Sequence, residues 1–167
     1  MFELTELSTL TKTEFYKALT GQLYALLDDE EDFIANAANF SSLLFHTMPD
    51  LNWAGLYLYK QGELVLGPFQ GKPACTRIAV GKGVCGTAAE RRKTIIVANV
   101  HEFPGHIACD QASNSEIVVP MIKGGQLIGV LDLDSPTLAR FDEEDKAGLE
   151  NLVEVFLCKT EVHFLVC

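Results

Sequence analysis

The chain lacks any apolar run approaching the ~18 consecutive residues that a membrane-crossing helix needs. Its opening segment, MFELTELSTLTK, has neither a basic start nor the apolar stretch of a secretory signal. Both absences predict a protein without a membrane association, with the cytoplasm as its location. Positive charge is scarce too, since 13 Lys and Arg against 23 Asp and Glu leave a net charge of −10. That balance argues against a nucleic-acid partner, because phosphate-backbone affinity comes from clustered cations that displace counterions. A cationic or zwitterionic small ligand suits it better. Among the five cysteines, Cys75, Cys85, Cys109, Cys158 and Cys167, there is no CxxC pair. Without a secretory signal, a structural disulfide framework is not expected. Each cysteine is then either a small buried hydrophobe or a thiol with redox or nucleophilic chemistry.

What the chain does have is the composition and the 167 residues of one ordinary domain with a sizeable core. The expected layout is a single unit over residues 1–167, with N-terminal helices in 1–50, a sheet and its loops in 52–135, and a closing helix in 142–163. Phe15, Leu19, Leu23 and Leu26 recur at helical spacing, as do Phe33, Ala37, Phe40 and Leu44. From Asn52 the period changes to two, with Ala54, Leu56 and Leu58 on one strand face and Trp53, Gly55, Tyr57 and Tyr59 on the other. The aromatic face either lines a pocket or is half covered by its neighbours. Gln61 and Gly62 predict a tight turn into a strand at 63–66, and 75–80 reads as a further strand.

Gly81, Gly83 and Gly86 have GxGxxG spacing, but no acidic residue ends a second strand of a βαβ unit about 20 residues on. They are read as a turn and a helix start. Strands are predicted at 94–98, 117–122 and 126–133, the last two joined by Lys123, Gly124 and Gly125. Alternation along 126–134 puts Leu127, Leu131 and Leu133 on one face and Ile128, Val130, Asp132 and Asp134 on the other. Two acids beside aliphatics are either a solvated strand end or part of a site. Asp142, with Asp145 three residues on, predicts the cap of the closing helix, whose core face carries Leu149, Leu152, Val153 and Phe156. The fold class is therefore α+β: an antiparallel sheet with terminal helices on one face and crossover loops on the other.

Residues 101–116, HEFPGHIACDQASNSE, crowd two His, one Cys and several acids into a run without periodicity. Phe103, Ile107 and Cys109 argue against a disordered linker, leaving a functional loop. Three chemistries compete on residue types alone. Zinc could take His101, His106, Cys109 and Asp110, completed by Cys85 or Cys75, but the spacing matches no standard finger. Cys109 beside His106 or His101 could be a hydrolytic nucleophile. Thiol redox chemistry would use one attacking and one or two resolving cysteines, passing through a sulfenic acid to a disulfide that an external dithiol reduces.

Five segments decide among them: ACTRI around Cys75, GKGVCGTAA around Cys85, HEFPGHIACDQASNSEIVVP around Cys109, NWAGLY at 52–57 and GVLDLDSP at 129–136. Together they resemble the free methionine-(R)-sulfoxide reductases, members of the GAF-domain superfamily, and RFDEEDKAGLENL at 140–152 is also GAF-like. The resemblance implies a GAF-like fold, reduction of free L-methionine (R)-sulfoxide, recycling by thioredoxin, no bound cofactor or metal, and a homodimer. It implies Cys109 as the attacking thiol and Cys75 as its resolver, with Cys85 auxiliary or alternative. It further implies a pocket of Trp53, Tyr57, Glu116, Asp132 and Asp134. Cys158 and Cys167 lie outside the pattern. A GAF sensory module that binds a small ligand without turnover is the alternative.

The residue chemistry suits that assignment. A sulfoxide sulfur becomes electrophilic once its oxygen is protonated, which needs a carboxylic acid of raised pKa, and clustered, desolvated carboxylates raise one another. Glu116 and Asp134 are the candidate acids, and an ionised Asp132 could pair with the ammonium of a free amino acid. Trp53 could pack on the thioether end. The same carboxylates should raise the pKa of a neighbouring thiol, so the thiolate would form only as its proton moves toward substrate.

Overall fold

The computed structural model describes residues 10–107 and 110–162. Expectations that rest on Cys109, His163 and Cys167 fall outside them. The chain opens with α1 (Lys12–Leu26) and α2 (Phe33–Thr47), each started by a polar cap. Thr11 and Glu14 form a reciprocal capping box, and Asp32 accepts the Ala35 N–H, so orphan amides at both helix starts are satisfied. Strands β1 (Trp53–Lys60) and β2 (Glu63–Gly71) follow, then β3 (Arg77–Ala79), α3 (Gly83–Arg91) and β4 (Ile95–Val97). After the loop come β5 (Ser115–Lys123), β6 (Gln126–Ser135) and α4 (Glu143–Lys159). Asp142 and Asp145 cap α4 as expected, while buried Asp145 also accepts the Tyr16 hydroxyl at 2.8 Å and pairs with Lys12 and Arg140. One carboxylate thereby joins α1 to α4.

All six strands form one antiparallel sheet in the order β3-β2-β1-β6-β5-β4. Two local meanders meet where β1 pairs with β6, the long-range contact that brings the two halves of the chain together. The tight turns lie where they were expected: Gln61 and Gly62, and Gly124 and Gly125, all have positive φ, which their two-residue hairpins require. One sheet face, carrying Ala54, Leu56, Leu58, Ile117, Val119, Leu131 and Leu133, packs against α1, α2 and α4. The opposite face, with Trp53, Tyr57, Val118 and Val130, packs against α3 through Val84, Cys85, Ala88 and Ala89. Loops therefore share the covering of that second face with a helix.

Three expectations change. The strand expected at 63–66 runs on to Gly71, because Gly67 and Pro68 sit in a bulge: Gly55 pairs with Phe69 but Tyr57 with Leu66, leaving β2 one residue in excess. Leu127 and Ile128 exchange faces, for a second bulge lies where Met121 opposes Gly129 while Ile122 opposes Leu127. The extra residue shifts the pleat by one, so Ile128 joins the helix-covered core and Leu127 packs with the other cluster. The long loop is also shorter than its lack of periodicity suggested. Val100–Glu102 is a 3-10 turn and Ser115 already opens β5, which makes Glu116 a strand residue.

Candidate active site

Strand pairing assembles the site on the second sheet face. Trp53 of β1 lies opposite Asp134 of β6, and Asp134 lies opposite Glu116 of β5, so three neighbouring strands set an indole and two carboxyls in one row. The next row along is Gly55, Asp132 and Val118. Gly55 has to be small, since a Cβ there would come within 2.7 Å of the Trp53 ring and 2.3 Å of Phe69 Cβ. Trp53 is 3 % exposed and stacks with both Phe69 (centroids 5.4 Å, planes 13° apart) and Tyr57 (5.8 Å, 24°). Its indole N–H donates to the Lys72 carbonyl at 3.1 Å, and the Tyr57 hydroxyl donates to the Cys75 carbonyl at 3.0 Å. The aromatic face thus lines a pocket and holds the segment that carries Cys75.

From the covering side, α3 delivers Cys85, whose Sγ lies 3.9 Å from Glu116 Oε1. Sγ of Cys85 and carboxylate oxygens of Glu116 and Asp132 all lie within 4.8 Å of one another, close enough to hold a small cation. The zinc set considered from sequence is not gathered among the described residues. The ring Nε2 of His101 faces Asn114 Oδ1 at 3.0 Å, while Asp110 turns to Asn52 and Lys72. His106 instead reaches the pocket, its Nε2 3.6 Å from Glu116 Oε2. Ile107 lies beside it over Gly83, where a Cβ would come within 3.2 Å of the isoleucine side chain.

Burial dominates the electrostatics. Loss of water pushes the Glu116 carboxyl well above the usual range, helped by the negative charges of Asp132 and Asp134. Asp134 is driven the same way by burial and then by Asp132, against the lowering influence of its hydrogen bond with Ser113. Burial also raises Asp132, to about 7, while hydrogen bonds from Cys85 and Glu116 hold it down. A hydrogen bond between two carboxyls requires one proton between them, and these opposed effects leave the proton on Glu116 and the charge on Asp132. The Cys85 thiol is pushed far up by burial and by Asp132, so it stays protonated at neutral pH. Burial, then the charge of His101, lowers His106 and keeps its ring neutral.

The resulting cavity is small, about 30 Å³, and is lined by Trp53, Tyr57, Cys85, Glu116, Asp132 and Asp134. It holds about one water. Oδ1 of Asp132 is buried with no hydrogen-bond partner among the described residues, a costly state for a carboxylate oxygen unless a donor arrives. Three features the sequence hid line up beside it: Ser113 bonds to Asp134, Asn52 Nδ2 donates to Ser113 Oγ at 3.0 Å, and the same amide reaches Asp110 Oδ2 at 3.3 Å. They were illegible because polar loop residues signal a turn, and only folding shows what they bond. Cys109 lies outside the described residues, but its neighbour Asp110 lines the cavity.

Comparison with known proteins shows which chains this one is similar to. The family described as "GAF domain" matches residues 21–156. The free methionine-R-sulfoxide reductase of Escherichia coli (strain K12) is 54% identical over 144 residues, 86% of this chain and 87% of that protein. That of Saccharomyces cerevisiae is 45% identical over 156 residues, covering 89% and 87%. The X-ray structure of free methionine-R-sulfoxide reductase from Neisseria meningitidis in complex with its substrate superposes with a TM-score of 0.91 at 42% identity, covering 95% of each chain.

Proposed function

The chain belongs to the GAF-domain family and, within it, to the free methionine-R-sulfoxide reductases, and from that premise we propose how it reduces free methionine (R)-sulfoxide to methionine. Cys109 attacks the sulfoxide sulfur while Glu116 or Asp134, both held in the acid form by burial, protonates the departing oxygen. The thiol's proton passes to the carboxylate left by that transfer, and the hydroxyl moves from the methionine sulfur to the Cys109 sulfur as the transient sulfur–sulfur bond breaks. Methionine leaves with two more electrons on its sulfur, while Cys109 is left as a sulfenic acid. The Cys75 thiol then closes a disulfide and the oxygen departs as water. Thioredoxin, or a dithiol of its kind, returns both thiols to the reduced state. No cofactor is required, because the electrons come from the cysteines.

One observation carries this reading: the orphaned Oδ1 of Asp132 beside protonated carboxyls and a stacked indole. A free amino acid differs from a peptide residue in its ammonium, and Asp132 is the anion that can pair with it. Trp53 packs on the thioether end, and Glu116 and Asp134 serve the oxygen. Cys85, buried and protonated, stands as the auxiliary thiol. Discrimination against protein-bound methionine sulfoxide follows from the ammonium contact.

The same reading includes a homodimer and the cytoplasm. The exposed apolar Leu10, Tyr24 and Ile34, on or beside α1 and α2, favour a second copy as partner. A reducing compartment keeps the unpaired thiols of Cys85 and Cys158 available. No helix among the described residues is long and apolar enough to cross a membrane. The test is a thioredoxin-coupled assay of NADPH consumption on separated free R and S epimers, beside a peptide carrying the R sulfoxide. Turnover of the free R epimer alone is expected. Binding of the free R epimer without methionine release would identify a sensory module and overturn the assignment.

A further inference from the structure

Two segments must meet for the second chemical step, and the structure shows what joins them. Residues 72–75 leave the end of β2 and are pinned to the pocket floor by their carbonyls, that of Lys72 on the Trp53 indole and that of Cys75 on the Tyr57 hydroxyl. On the other side, Asp110 immediately follows Cys109. Its Oδ1 accepts the Ala112 N–H at 2.9 Å and the Lys72 ammonium at 3.2 Å, and its Oδ2 accepts Asn52 Nδ2 at 3.3 Å. The Lys72 side chain is 69% exposed and that of Asp110 only 10%. The lysine therefore reaches in from the surface to a carboxylate already oriented by a backbone amide and a half-buried amide side chain. The ion pair closes a span of two adjacent segments, three residues from one active thiol and one residue from the other.

On the functional reading above, we infer that Lys72 is a positioning residue for disulfide closure. Its ammonium on Asp110 holds the Cys75 segment against the segment that follows Cys109, so that the sulfenic acid meets the resolving thiol. In that step the Cys75 sulfur attacks the Cys109 sulfur, the sulfur–oxygen bond breaks, and hydroxide leaves with the Cys75 proton as water. The Cys75 sulfur is oxidised by one level and the Cys109 sulfur reduced by one as the sulfur–sulfur bond forms, so no further oxidant is consumed. Lys72 takes no part in the exchange of atoms. It raises the effective concentration of one thiol at the other, the effect that correct juxtaposition supplies in any intramolecular reaction. Attack on substrate precedes this step and draws on the carboxyl and indole row instead, so the first turnover does not depend on the lysine.

The experiment is a single turnover with the full-length reduced protein and free methionine (R)-sulfoxide, following methionine release, Cys75–Cys109 disulfide formation and dimedone-trapped sulfenic acid together. Lys72→Met is expected to release methionine as the wild type does, yet close the disulfide about ten-fold more slowly, with more sulfenic acid trapped. Lys72→Arg should restore closure. In about 1 M salt, where the screening length is about 3 Å, the wild-type closure rate should fall toward that of Lys72→Met, which itself should not respond. Wild-type closure in Lys72→Met overturns the inference, as does an equal loss of methionine release and closure, which would mark a merely structural role. A wild-type protein that releases no methionine fails the functional reading, and this inference falls with it.

Discussion

Asp134 and Glu116 stand directly opposite one another across the β5–β6 ladder, both facing the cavity beneath the loop. Like charges in that position repel, and with Glu116 buried and Asp134 half-buried there is little water to screen them. The pair is tolerated because burial and the charge on Asp132 keep both carboxyls in the acid form, which is the form a sulfoxide oxygen needs.

Replacing either acid should separate chemistry from stability. Glu116→Gln and Asp134→Asn keep shape and hydrogen-bonding capacity but cannot give up a proton. Each should lower kcat by about 10² to 10⁴, the usual worth of a positioned general acid, and leave the melting temperature unchanged or higher. Steady-state kinetics beside thermal melts checks this, and unaltered kcat in both variants would remove the acid role.

Asp132 sets a pH dependence of stability. Its folded pKa is raised from 3.8 to about 7, so between those values the folded state binds more protons than the unfolded one. Stability from this group is complete below the unfolded pKa and is lost as pH rises through the folded one. Denaturant unfolding should therefore show stability falling between about pH 4 and pH 7, with Asp132→Asn removing its share of a fall to which Glu116 and Asp134, raised in the same direction, also contribute. Asp142, lowered to about 2 chiefly by its hydrogen bond with Lys12, changes stability only at more acid pH and does not interfere.

The thiols should divide by reactivity. Cys109→Ser is expected to abolish even one turnover, while Cys75→Ser keeps the first turnover and blocks recycling. Iodoacetamide at neutral pH should label exposed Cys158 and leave Cys85 untouched, because Cys85 is buried and stays protonated. Peptide mapping reads the labels, and equal methionine release by wild type and Cys109→Ser would refute the nucleophile.

Away from the pocket, Gly148 of α4 lies flat against the Tyr16 ring, where a Cβ would come within 2.2 Å. Gly148→Ala should push the ring aside and break its buried hydrogen bond to Asp145, costing about 3 kcal/mol. Because this contact joins α1 to α4 on the far side of the sheet, kcat at a temperature where the variant is folded should not change.

Much of the fold was legible in the sequence because its signals are local. Helical spacing marked both opening helices, Asp142 and Asp145 announced α4, and Gly-bearing turns placed the hairpins. Period-two alternation put Trp53 and Tyr57 on one face and Asp132 and Asp134 on another, and pairing of β1 with β6 made these the same face. Where a bulge added one residue, alternation misled: Leu127 and Ile128 changed places with no mark in their own sequence. Polar loop residues were the least legible, for Asn52, Ser113 and Lys72 take their meaning from partners 19 to 61 residues away in the chain or bonded through Asp110.

By itself the sequence determined which residues could do the chemistry, because thiols, carboxyls and an indole keep their intrinsic reactivity in any fold. Tertiary structure alone decided their states. It laid Trp53, Asp134 and Glu116 across three strands, excluded water, and so left Asp132 as the anion while its neighbours kept their protons. The reason is physical: a protonation state depends on burial and on nearby charge, and both are properties of through-space neighbours that chain order does not contain.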